Sequence, residues 1–172
     1  MSMIGEYARV SPAELARVIR DPEWALGFVD ELVEAELDGG DRGSGSDGGG
    51  NRCLDTDKAW DALGFLLHRV GFPVDVVHGE EEIPGADDWG YGPPRYLTPE
   101  RVKVAAEGLI RISGDDLVTG VGPDELAAAD IYPVIVWERG ESLDWVREHY
   151  EALVPFFDAA ARGGDGMLIW LD

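Results

Sequence analysis

Between Asp87 and Glu100 the chain reads Asp87-Asp88-Trp89-Gly90-Tyr91-Gly92-Pro93-Pro94-Arg95-Tyr96-Leu97-Thr98-Pro99-Glu100. A guanidinium held among prolines and aromatic rings can clamp a carboxylate or phosphate through two parallel N–H bonds. Trp89, Tyr91 and Tyr96 can stack on a ligand or hydrogen-bond to it, and Asp88 or Asp87 can act as base. Lys58 can join them from a neighbouring helix. The competing account is architectural and is preferred. Arg95 would then tie the loop to Asp57, Asp88 or another acid, and the rings would serve the core or an interface. Glycine and proline fix the backbone in either case.

Other groups invite chemistry less strongly. Glu80, Glu81, Glu82, Asp87 and Asp88 could bind a hard cation or supply an acid and a base, but they lack calcium-loop spacing and read as a solvated acidic loop. His68, His78 and His149 share no metal-ligand spacing. Cys53 precedes a helix, where the dipole could lower its pKa, yet an incidental thiol is the simpler reading. As the one cysteine, it excludes an internal disulfide framework and a cysteine-cluster zinc site. Neither a phosphate-cradling glycine loop nor a Gly-x-Ser-x-Gly elbow is present, so no cofactor and no metal are expected.

Charge narrows the partners. Thirty-five acids against 14 Lys and Arg give a formal net charge of −21 over 172 residues. Nucleic acid is not an expected partner, because phosphate binding needs a basic patch. A basic protein partner, steered by charge, fits better, beside the plainer reading of a solvated acidic surface. No apolar run is long enough for a membrane span, and the N-terminus lacks the basic start and apolar core of a secretory signal. The expectation is a cytoplasmic protein.

These residues must be positioned by a modest set of elements. Ser11-Pro12-Ala13-Glu14 predicts a capped helix, and Asp21-Pro22 starts a second. Residues 38–51 predict a flexible glycine-rich loop. Helices follow near 57–69, after Thr98-Pro99, in one or two pieces over 115–129, and after Ser142, where Pro155 predicts a kink and Gly163-Gly164 an end. Strands or extended segments are expected at Pro73–His78, Ile131–Trp137 and Met167–Leu171. Five or so helices and two to four strands without regular alternation predict one compact α+β domain over 1–172, with about five helices around a small mixed or antiparallel sheet.

Four segments together resemble a YfbM-like family of bacterial proteins of unknown function. They are Met3-Ile4-Gly5 with Tyr7; the Leu54-Asp55-x-Asp57-Lys58-Ala59-Trp60-x-x-Leu63 helix; Gly90-Tyr91-Gly92-Pro93-x-Arg95-Tyr96-Leu97-Thr98-Pro99-Glu100-x-Val102; and Ile131-Tyr132-Pro133 with Trp137. The match runs over nearly the whole chain. The resemblance implies a compact α+β domain and no established catalytic activity, so it carries over no catalytic residues. Some similar proteins lie beside bacterial toxin genes, which implies an immunity role. The glycine-rich loop and the acidity are departures outside the shared motifs.

Three readings stand at this point. One is a non-enzymatic protein-binding module, toxin-neutralising if the resemblance guides it. The second is a small anionic-ligand-binding protein or enzyme, with a site around Asp87–Tyr96. The third is a housekeeping domain with no site.

Overall fold

A five-stranded antiparallel sheet organises the chain, which is seen in a computed structural model that describes residues 2–39 and 50–172. The strands are β1 (Gly5–Val10), β2 (Cys53–Asp55), β3 (Glu81–Glu82), β4 (Arg95–Leu97) and β5 (Gly166–Leu171), in the order β2-β1-β5-β4-β3. β1 and β5 form the long central pair, with Glu6 opposite Trp170 and Ala8 opposite Leu168. Eight α-helices are present among the described residues: α1 (Pro12–Arg20), α2 (Pro22–Gly39), α3 (Trp60–Arg69), α4 (Pro99–Leu109), α5 (Gly114–Val118), α6 (Pro123–Ala128), α7 (Val134–Glu138) and α8 (Asp144–Gly163). The fold is α+β, antiparallel rather than mixed, and α5, α6 and α7 raise the helix number above the expected five.

Strand alternation sends side chains to two faces, and each face has its own core. Tyr7, Leu97, Met167 and Ile169 point into the larger core, filled by α3, α4 and α8 with Leu117, Leu126 and Trp137 from the short helices. Ala8, Val10, Leu168 and Trp170 point the other way, under α1 and α2, where Ile83 and Trp89 complete the packing. The two phenols inside the larger core both find carbonyl acceptors. Tyr150 donates to Leu109 O at 3.0 Å and Ile112 O at 2.8 Å, and Tyr7 donates to Val76 O at 2.8 Å. The Tyr7 bond ties the 73–78 turn to the sheet. One buried cation, Arg9, is held by Asp165 through Nε at 3.1 Å and Nη2 at 3.0 Å.

Local signals in the sequence account for several helix starts. Ser11 and Glu14 form the reciprocal capping box of α1. Asp21 Oδ1 accepts from Trp24 N at 3.2 Å, and Thr98 Oγ1 accepts from Arg101 N at 3.3 Å. α8 runs without interruption through Pro155 and stops at Gly164, which takes φ +70°.

Two segments expected as strands or extended chain take other forms. Ile131–Trp137 forms an extended entry and then α7, with Pro133 as N-cap and the Tyr132–Pro133 peptide cis. The apolar run serves one helical face: Trp137 is fully buried while Ile135 is exposed. Sheet neighbours are what make a β-branched run a strand, and here the run packs against α6 instead. Pro73–His78 is a set of turns, because Asp75 Oδ1 accepts from Val77 N and His78 N and draws the chain into a tight loop. Conversely, β1, β2 and β4 were not expected. Part of the acidic Glu80–Glu82 turn is β3. The expected loop at 38–51 begins later, since α2 carries on through Asp38 and Gly39, and residues 40–49 lie outside the described residues.

Candidate functional site

The Asp87–Tyr96 stretch wraps the C-terminal end of β5. Tyr91 N donates to Leu171 O at 2.9 Å and Trp89 N to Gly92 O at 2.9 Å, closing a small loop around Gly90. Gly90 has φ +127°, and a Cβ there would lie 2.8 Å from Leu171 O. Only glycine combines that backbone with so close an approach. The chain then enters β4, which pairs with β5 on one side and β3 on the other.

The six residues singled out in the sequence do not converge. Trp89 is 8% exposed and meets Trp170 edge-to-face, ring centres 5.3 Å apart. With the exposed Asp88 it borders a cavity of about 470 Å³ on the α2 side of the sheet. Tyr96 packs its ring on that side too. Tyr91 and Arg95 border a different cavity of about 290 Å³, shared with Val77, His78, Glu82 and Trp170. Lys58 joins neither. It sits half-buried on the 3-10 turn Asp57–Ala59 ahead of α3.

Arg95 is committed to the protein. Its Nε donates to Gly79 O at 3.2 Å, Nη2 to Glu80 O at 2.8 Å and Nη1 to Glu82 Oε1 at 3.1 Å. The partner acid is therefore Glu82, directly opposite in the β3–β4 ladder, and not Asp57 or Asp88. Next to it, Arg101 forks onto Glu80 at 2.7 and 2.9 Å and holds that carboxyl below its ordinary range. Both arginines fasten the 79–82 segment. Tyr91, at 40% exposure, is open to solvent, as are His78, Glu82 and Pro93 of the same cavity.

His78 was not singled out by spacing, yet the fold places it centrally. It borders the Tyr91–Arg95 cavity and a second one of about 430 Å³ that also contains His68, Asp61 and Glu80. Its Nδ1 is 3.5 Å from Asp75 Oδ1, and its ring meets Trp60 edge-to-face at 5.9 Å. The Asp75 contact raises the imidazole pKa above its ordinary value, against the effect of burial. Gly71, at φ +72°, turns the chain after α3 and so brings His68 and His78 to one cavity. That glycine was the available signal. Even so, among the described residues no group of three or more His, Cys, Asp and Glu could hold a metal ion. Cys53 is a poor nucleophile: burial, with Glu36 nearby, pushes its thiol up to about 11.

Glu6 is the residue that sequence reasoning missed. β1 alternation points it to the α2 side, into the cavity of Asp88 and Trp89 with Asp30, Glu34 and Asp172. Burial first, then Asp55 opposite it in the β1–β2 ladder and Asp172, lift its carboxyl to about 7. Among the described residues, none of these five carboxylates has an ion-pair partner. The signal was there in Glu6-Ala8-Val10, one acid on an otherwise apolar strand face.

Comparison with known proteins places the fold. Among solved structures, the chain is similar to the crystal structure of YfbM from Escherichia coli, a protein of unknown function. The TM-score is 0.61 at 17% identity, over 98% of this chain and 99% of that one. No protein of curated function matches it significantly. A family model described as a domain of unknown function, DUF1877, matches residues 1–170, and the chain belongs to that YfbM-like family.

Proposed function

We propose that this chain is a non-enzymatic binding module for a basic protein partner. The observation that carries the reading is the cavity beside Trp89: five carboxylates, one with its pKa lifted to about 7, and no cation among the described residues that line it. Like charges held together on a partly buried surface cost stability. A cationic partner converts that cost into affinity and fast association. The formal charge of −21 extends the same bias over the molecule. A toxin-neutralising immunity protein is the specific form of this class that the family resemblance favours, since an acidic inhibitor can cover a basic cleft. Affinity capture from lysate of the source cells, at low and at high salt, tests the reading. A basic protein retained at low salt and released at high salt is expected. Recovery of no basic protein at either salt removes it.

A second reading rests on the Tyr91–Arg95–His78 cavity. Glu82 is largely exposed and, among the described residues, is the one side chain paired to Arg95. A small anion could take its place beside Arg95 and His78. Glu82→Gln is then expected to tighten binding of a carboxylate or phosphate probe measured by titration calorimetry. No binding by either form counts against it.

No helix among the described residues is long and apolar enough to cross a membrane.

A further inference from the structure

Three cavities join into one groove along α2. The first, about 230 Å³, lies near Pro22 and shares Leu26 and Trp89 with the central one. The last, about 310 Å³, lies near Leu37 and shares Glu6 and Val33 with it. The ends add Glu23 and Asp87 at one side and Glu36 and Asp55 at the other, so nine carboxylates line the whole and, among the described residues, no lysine or arginine does. Leu26, Val29, Val33 and Leu37 recur at helical spacing and run its length as an apolar stripe. Val29 is buried, but Leu26 is 45% and Leu37 79% exposed. From Pro22 to Leu37 the helix rises about 22 Å, enough to lie beside about four turns of a second helix.

We infer that this groove docks an amphipathic basic segment of the partner, its apolar face over Leu26 and Leu37 and its lysine or arginine heads on the carboxylate rims. The inference rests on the binding-module reading and says where and how the partner sits. α2 itself supplies an independent argument. Among the described residues its last turn has no basic side chain, while Asp38 stands there against the negative end of the helix dipole and Glu36 accepts from Arg52 N and Cys53 N. Cations arriving at that end relieve the conflict. Other occupants fit worse. A second copy brings the same acidic groove, and residues 40–49 contain only glycine, serine and charged side chains, with nothing to cover the leucines.

The test titrates the full chain, by calorimetry at about 50 mM salt, with a synthetic peptide of about 16 residues carrying leucine on one helical face and lysine and arginine on its flanks, against a scrambled peptide of equal charge. The amphipathic peptide is expected to bind at least about tenfold more tightly than the scramble. The Leu26→Asp/Leu37→Asp double variant, which adds negative charge but removes the apolar stripe, is expected to weaken it at least about tenfold. Asp124→Lys/Glu125→Lys, on the exposed side of α6, is expected to change it by less than about threefold. Both leucines are exposed, so an unchanged melting temperature should confirm the fold of the double variant. If the double variant binds like the wild type, the groove is overturned and the binding-module reading stands on bulk charge alone. If neither peptide binds, both fall. A wild-type dimer in sedimentation that the leucine variant dissolves also overturns the inference, since a second copy is then the occupant.

Discussion

Glu6 and Asp55 face each other across the β1–β2 ladder, an arrangement that costs energy when both are ionised. A folded pKa of about 7, raised from the ordinary 4.5, means that the native state holds a proton the unfolded chain has released. Below the unfolded pKa both states are protonated and nothing is lost. As pH climbs toward 7 stability falls, and above 7 the loss is complete. Glu6→Gln should therefore leave stability unchanged near pH 4 and raise it at pH 8 by about 1–2 kcal/mol, allowing for solvent screening. Urea unfolding at the two pH values measures it. Equal effects at both would show that Glu6 is not under strain. Arg95 makes the opposite point, because its bonds are structural. Arg95→Ala is expected to lower unfolding free energy by about 1–3 kcal/mol while leaving capture of any basic protein that the wild type retains intact. Loss of capture in a variant shown to be folded would reassign Arg95 to the binding surface. The sequence made Arg95 conspicuous but not its partner, since Glu82 meets it only through strand register. Glu6 stayed hidden for a similar reason: its neighbours Asp55, Asp172 and Asp30 come from three other segments.

Elements with their own local signals were legible. Ser11, Asp21 and Thr98 cap helices where their spacing says they should, and Gly163-Gly164 ends α8. β4 is three residues long and β2 likewise, too short to show alternation, and both are strands only because β5 and β1 lie beside them. The run at 131–137 failed in the other direction. Its composition suits a strand, but packing on α6 leaves it no strand partner. The turn at Gly90 was visible as glycine and proline, whereas its contact with the end of β5 was not. Gly90→Ala should lower stability by about 2–3 kcal/mol, because a side chain at that φ meets Leu171 O. Thermal unfolding checks this, and a drop no larger than that of an exposed control substitution would mean that the loop adjusts freely.

At the scale of the whole molecule, the sheet acts as a partition. It separates the Arg95–Tyr91–His78 cavity from the acidic groove under α2, so a stretch that reads as one site in sequence serves two surfaces. The α+β class was legible from the absence of regular alternation. The layering was not, because it depends on β5 closing against β1 from the far end of the chain. The net charge of −21 was legible at once, but its concentration in a groove with an apolar floor needed the fold. If charge directs a basic protein onto this chain, the association rate with a protein recovered by capture must depend on salt. Surface-bound chain should show a rate that falls at least about tenfold from about 50 to about 500 mM salt, while dissociation changes much less. An association rate that does not respond to salt would contradict the account.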